Sequence, residues 1–239
     1  MVTPPDPDRE LAELRTYLGD AFDERLLHGH VAALEHELAS VGDEARLYRT
    51  SQVYLYDLTA FAMTATKAPY LELLARHCPP PARVLDLGCG IGSDGLALLE
   101  AGYEVHFADF ANPSTRYLNW RLERRGLRAP VHDLDRGPPP VGFDLAYAFD
   151  VIEHVPDPDA FLDALERSAR RVLVNLLEPG PEETTLHHEL PVRALLDRCA
   201  RRRLLRHRRL HGRSHLVLYD GRPAGPVRRV RSRLELLRP

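Results

Sequence analysis

The sequence predicts an α/β protein with a mostly parallel sheet, preceded by a helical segment. Three observations carry that expectation. From Arg83 onward, short apolar runs alternate with amphipathic stretches, the pattern of strands linked by helices. The first run, Arg83-Val84-Leu85-Asp86-Leu87, breaks into the spacing Gly88-x-Gly90-x-Gly92 and then into helical periodicity over 93–100, as in a ligand-binding strand–turn–helix unit. Before Arg83, apolar residues recur at helical spacing with no strand-like alternation.

In chain order, residues 8–18 place Leu11, Leu14 and Leu18 on one helical face, and 26–38 repeat the pattern with Leu27, Val31, Leu34 and Leu38. Gly42 ends that stretch and Asp43 can cap the next. Residues 48–63 carry Tyr48, Tyr54, Tyr56 and Phe61, and 67–77 form a further amphipathic stretch stopped by Pro79-Pro80-Pro81. Residues 1–77 therefore read as a helical segment and 78–220 as the α/β core. Within the core, strands are expected over 83–87, 103–107, 130–134, 143–149 and 171–177, with helices over 93–100, 114–125, 159–169 and 190–200. Residues 204–210 and 214–219 read as a hairpin around Gly212. The Pro-, Gly- and Arg-rich stretch 221–239 reads as a flexible tail.

At 239 residues, 44% hydrophobic and 28% charged, the chain has the composition of a globular protein with a substantial core. A net charge of −3 gives no electrostatic footprint for nucleic acid or membrane. Lys67 is the sole lysine, so the arginines crowding residues 201–233 follow a chain-wide preference and read as a solvated face rather than an RNA surface. Three scattered cysteines support neither a disulfide framework nor a zinc site. No basic-apolar leader and no membrane-length apolar run is visible, so a cytoplasmic location is expected.

The glycine turn narrows the ligand. A dinucleotide fingerprint has its third glycine one residue later, and a carboxylate at the strand end, Asp86, suits a cationic group better than a pyrophosphate. Asp86-Leu87-Gly88-Cys89-Gly90-Ile91-Gly92 resembles the first motif of class I S-adenosylmethionine (SAM) methyltransferases. The resemblance covers residues 81–219 and implies a Rossmann-like, seven-stranded, mostly parallel sheet with an antiparallel last strand. It also implies an N-terminal helical lid, and SAM as cofactor with S-adenosylhomocysteine as product. Carried onto this chain, it assigns cofactor contacts to Asp86, Gly88, Cys89, Gly90 and Gly92. Asp109, followed by Phe110, would accept from both ribose hydroxyls, and Asp133 with Leu134 would meet the adenine. The entry Phe110-Ala111-Asn112-Pro113 is longer and more polar than the family pattern.

Asp150-Val151-Ile152-Glu153-His154-Val155-Pro156-Asp157-Pro158 resembles the post-strand motif of small-molecule methyltransferases, especially those acting on quinone-like phenols and natural products. It implies Asp150 and Val151 beside the methionine part of SAM, and His154 as a proton acceptor oriented by Glu153. His187, in His187-His188-Glu189, is expected at the substrate mouth with no metal, and Tyr48, Tyr54 and Tyr56 as an aromatic wall for a small-molecule acceptor. The function expected is methyl transfer to O or N of a small molecule. Three alternatives share the SAM site: intramolecular cyclisation of SAM releasing methylthioadenosine, RNA methylation, and SAM binding without catalysis.

Overall fold

The computed structural model describes residues 2–178, 180 and 186–223. Its helical start follows the apolar periodicity, with breaks where local chemistry places them. α1 (Pro7–Leu18) opens on Asp6, whose carboxylate accepts from the N–H groups of Asp8 and Arg9 at 2.9 and 3.1 Å. Residues 26–38, expected as one helix, divide at Gly29 into α2 (Glu24–His28) and α3 (His30–Val41). The Gly29 N–H closes α2 onto the Arg25 carbonyl, and the Gly29 carbonyl accepts from Ala33 to start α3. A glycine inside a continuous helix would cost about 1 kcal/mol relative to alanine, so a restart there is inexpensive. Asp43 caps α4 (Glu44–Thr50) as expected, accepting from Arg46 N–H at 3.2 Å. α5 (Val53–Met63) and α6 (Ala68–His77) complete the segment.

Seven strands follow: β1 (Arg83–Leu87), β2 (Glu104–Asp109), β3 (Val131–Asp133), β4 (Phe143–Ala148), β5 (Ala169–Leu177), β6 (Arg202–Leu210) and β7 (Ser214–Pro223). They form one sheet in the order β3-β2-β1-β4-β5-β7-β6, the mixed seven-stranded arrangement expected. The helices between them are α7 (Ser93–Glu100), α8 (Pro113–Arg124), α9 (Pro158–Ser168) and α10 (Val192–Arg201).

Two compact units make up the described chain, one containing residues up to 81 and 88–137, the other 82–87 and the described residues from 138 onward. In the first, β2 and β3 are parallel, with Asp109 opposite Asp133. In the second, β1 pairs β4 and β4 pairs β5 in parallel, while β7 runs antiparallel between β5 and β6. Leu145, Ala146, Tyr147, Val172, Leu173 and Val174 are all buried, the near-continuous apolar run that a covered parallel strand requires. β7 continues to Pro223, opposite Arg202, so 221–223 are strand rather than tail; the rest of the expected tail lies outside the described residues.

The first unit is pinned by a charge. Arg121 of α8 is 0% exposed and donates from Nε to Glu13 at 2.8 Å, and from Nη1 to the Ile91 carbonyl and Ser93 Oγ, each at 2.9 Å. Its Nη2 bonds Glu10, and Ser93 Oγ donates to the other oxygen of Glu10 at 2.6 Å. Arg125 adds two bonds to Glu13 at 2.8 Å. The amphipathic pattern conceals this: Glu10 and Glu13 flank Leu11 on α1, and all three acidic and basic partners are buried. Truncating one member of a buried pair leaves the other uncompensated. Arg121→Ala is therefore expected to lower unfolding free energy by about 3–5 kcal/mol. Arg15→Ala, which breaks the exposed 2.6 Å pair with Glu24, should cost less than about 1 kcal/mol in the same denaturant titration.

Candidate functional site

In the first unit, the chain leaves β1 through a turn that only glycine serves comfortably. Gly88, Gly90 and Gly92 take φ of 77°, 51° and 72°, in the left-handed region that penalises a Cβ. At Gly92 a Cβ would also stand 2.4 Å from Leu118 Cδ1. The turn is tied to β2 through Gly88 N–H to the Ala108 carbonyl at 2.8 Å, and is closed by Gly92 N–H to the Cys89 carbonyl at 2.8 Å. Asp109, at the end of β2, accepts the Gly90 N–H on Oδ2 at 2.8 Å and the Phe110 N–H on Oδ1 at 2.7 Å. Each carboxylate oxygen keeps a lone pair for a further donor, the requirement for gripping a vicinal diol. Burial raises the Asp109 pKa above its ordinary value, opposed by the two N–H groups and by the nearby charge of Arg49. Lys67 pairs with Asp94, in the first turn of α7, at 2.7 Å.

Asp133 lies beside Asp109 at the same end of two parallel strands. It accepts from Asp135 N–H at 3.0 Å and pairs with Arg136 at 3.1 Å, while Leu134 N–H bonds the Asp109 carbonyl at 3.0 Å. Phe110 is 38% exposed, with the Arg49 guanidinium 4.3 Å from its ring centroid. The polar residues after it form a capping box: Asn112 Oδ1 accepts Thr115 N–H at 2.9 Å, and Thr115 Oγ1 accepts Asn112 N–H at 3.1 Å. That device accounts for the unusual entry to α8.

In the second unit, Asp86 is buried on β1, in register with Tyr147 of β4. Asp150, just past β4, takes a φ of 55°. Val151 leads into a single 3₁₀ turn, Ile152–His154, in which the His154 N–H bonds the Val151 carbonyl at 2.9 Å. Glu153 is buried, and its carbonyl accepts from His188 N–H at 2.7 Å. His154 Nδ1 lies 3.0 Å from the Leu186 carbonyl. A carbonyl only accepts, so Nδ1 is the donor in that contact. The His187 ring stands edge-on to His154 with centroids 4.7 Å apart. Glu153, His154 and His187 each offer a metal-ligating atom within 4.8 Å of the others. The local spacing of His187-His188-Glu189 concealed this grouping, which depends on the chain returning past β5.

The three tyrosines expected as a wall divide. Tyr48 and Tyr54 form an edge-on pair 5.1 Å apart and are half-buried. Tyr56 is buried among Leu14, Leu27 and Leu55, and its hydroxyl accepts from Asp23 N–H at 2.9 Å. Sequence reasoning missed Asn175, a wholly buried polar residue on β5 that bonds Asp150. An asparagine amid Val172, Leu173, Val174 and Leu176 was the available signal. Of the late arginines, Arg202 pairs with Glu166 at 2.6 Å and Arg209 with Glu178.

Residues 59–219 match the methyltransferase domain family. The chain belongs to that family. Among curated relatives of this methyltransferase domain, a ubiquinone biosynthesis O-methyltransferase of Xylella fastidiosa is 31% identical over 116 residues, 46% of this chain and 44% of that protein. One of Xanthomonas campestris pv. campestris is 32% identical over 111 residues, 44% of this chain and 43% of the relative. The match thus spans less than half the length of either relative. The fold is shared with magnesium protoporphyrin IX methyltransferase from Synechocystis PCC 6803, solved with bound SAM (TM-score 0.53, 21% identity, 80% of this chain and 96% of that one). It is also shared with a pyocyanin biosynthetic protein (TM-score 0.57, 15% identity, 78% and 64% covered).

Two glycines separate backbone strain from crowding. Gly102 also has a positive φ, 90°, but open space around its missing Cβ. Gly102→Ala should cost about 1–2 kcal/mol of stability, the left-handed penalty alone. Gly92→Ala adds the collision with Leu118 and should cost roughly twice that, measured by thermal unfolding of the two variants side by side.

Proposed function

We propose that this methyltransferase domain transfers a methyl group from SAM to an oxygen or nitrogen of a small molecule. The placement of His154 supports the catalytic part of this reading: Nδ1 donates to a backbone carbonyl, so Nε2 is the ring atom assigned to take the acceptor's proton. The ligand-binding part rests on the glycine turn and on Asp109, whose carboxylate retains an acceptor position on each oxygen. These residues fit SAM, a ligand with a ribose diol and a cationic head and no phosphate. When bound, SAM supplies a methyl group on an electron-poor sulfonium.

In this reading Gly88, Cys89, Gly90 and Gly92 provide close backbone approach, and Asp109 holds the ribose. Asp133 with Leu134 and Phe110 attend the base, and Asp86, Asp150 and Val151 attend the methionine part. His154 Nε2 removes the acceptor's proton as its oxygen or nitrogen attacks, and Glu153 and His187 hold the imidazole environment. Tyr48 and Tyr54 are assigned to the aromatic part of the acceptor, and Tyr56, buried among Leu14, Leu27 and Leu55, is a structural support. Phenolic acceptors are favoured over amines because the curated relatives are named for O-methylation in ubiquinone biosynthesis. The protein operates in the cytoplasm on a diffusible substrate; no helix among the described residues is long and apolar enough to cross a membrane.

The test is incubation with SAM and a panel of catechols, phenols and amines, read by mass spectrometry. S-adenosylhomocysteine formed in step with a methylated acceptor is the expected result. Methylthioadenosine accumulating from SAM alone would replace the reading with SAM cyclisation. His154→Gln should lower kcat by about 10²–10⁴-fold with the KM for SAM little changed. If a chelator instead abolishes wild-type turnover, Glu153, His154 and His187 act as metal ligands rather than as a proton acceptor and its support.

Acid should weaken SAM binding through Asp109. Its pKa is raised by burial, so protonation, which removes acceptor capacity, begins at a higher pH than for an ordinary aspartate. SAM affinity measured by calorimetry should fall as pH drops through that raised value, and Asp109→Asn should be weak at every pH.

A further inference from the structure

Asn175 is wholly buried in β5, flanked by Val174 and Leu176, where a polar side chain is costly unless it is hydrogen-bonded. Its side chain bonds little within the sheet. Oδ1 accepts the Asp150 N–H at 2.8 Å, and Nδ2 donates to Asp150 Oδ1 at 2.7 Å. The amide therefore closes a ring with both the backbone and the side chain of one residue. Ser214 Oγ, on the neighbouring strand, lies 3.5 Å from the same Nδ2 and steadies the amide from behind.

The residue so held is not at rest. Asp150 has a φ of 55°, uncommon for any residue but glycine, and such a conformation persists where surrounding contacts over-determine it. The last β4–β5 pair is Ala148 with Val174, so Asn175 sits one residue past the point where β4 stops pairing. From there the chain turns through Asp150 into the 3₁₀ turn carrying Glu153 and His154. The two bonds from Asn175 hold Asp150 in this conformation at the entry to the 3₁₀ turn.

We infer that Asn175 is a positioning residue for ligand binding: it holds Asp150 in the left-handed conformation and fixes the direction of its carboxylate. This rests on the reading that Asp150 attends SAM. The role is carried by two hydrogen bonds of one amide, so it separates from bulk stability by choice of variant. Asn175→Val removes both bonds and puts an apolar, strand-forming residue in their place. Asn175→Asp keeps the volume and the acceptor for Asp150 N–H but sets a carboxylate against the Asp150 carboxylate. Asp150→Asn keeps an oxygen for Asn175 Nδ2 to donate to and tolerates positive φ, while removing the charge.

The experiment is SAM binding by calorimetry and the KM for SAM on these three full-length variants, at a temperature where unfolding curves show each fully folded. Asn175→Val and Asn175→Asp are expected to weaken SAM binding about tenfold or more. The KM for SAM should rise with them, while kcat at saturating SAM changes less. Wild-type affinity in a folded Asn175→Asp or Asn175→Val protein overturns the inference and leaves Asn175 a purely structural residue. Asp150→Asn separates the two layers. If it weakens binding while the Asn175 variants do not, the assignment of Asp150 to SAM stands and the positioning role fails. If it binds SAM as the wild type does, the assignment of Asp150 fails, and the positioning role fails with it.

Discussion

A guanidinium sealed from water has to be satisfied completely, and Arg121 meets that demand in a way that organises the whole first unit. Its partners come from three places: Glu10 and Glu13 on α1, the Ile91 carbonyl inside the glycine turn, and Ser93 at the start of α7. Each bond constrains an element that the apolar periodicity alone would leave free to slide. Hydrophobic contact is non-directional, whereas a planar guanidinium accepts partners only along fixed directions. The helical segment is thereby registered against the turn with a specificity that leucine packing would not supply. Arg125 and the partly exposed Arg9–Glu100 pair at 2.8 Å extend the same lattice outward.

Two kinds of polar interaction divide the labour. In the first unit, polar side chains close backbone turns: Asp109 takes the Gly90 amide, and Asn112 with Thr115 closes the entry to α8. These bonds rigidify the backbone assigned above to the ligand, and such rigidity lowers the reorganisation cost of binding. In the second unit, a carbonyl sets the tautomer of His154, and an amide sets the backbone of Asp150. Neither acceptor nor donor there need touch a substrate. Their work is to leave one nitrogen and one carboxylate oriented without choice.

Much of this was legible in the sequence, for reasons that are physical. The strand–glycine–helix unit announces itself because three left-handed positions in succession tolerate almost no other residue. The seven-stranded, mostly parallel sheet was legible through the family motif and through the final hairpin around Gly212. Gly29 was overlooked as a break because leucines on either side keep helical phase across it. Tyr56 looked like its neighbours in sequence, yet it faces Leu14 and Leu27, a distinction decided by which side of α5 packs on α1 and α2. Arg121, Asn175 and the meeting of His187 with His154 were hidden for a common reason. Each pairs residues far apart in the chain, and no local spacing records such a meeting.

The placement of β7 bears on how the chain can assemble. β6 precedes β7 in sequence but reaches the sheet only through it, since β7 is the strand that pairs with β5. Until β7 is made, β6 has no strand to pair with, because its ladder is with β7. Ser214, behind Asn175, arrives on that same last strand. The sheet thus closes only with β7, and the Ser214 contact to Asn175 arrives with that strand. A nascent chain stalled before β7 would have its glycine turn in place and its second unit unfinished.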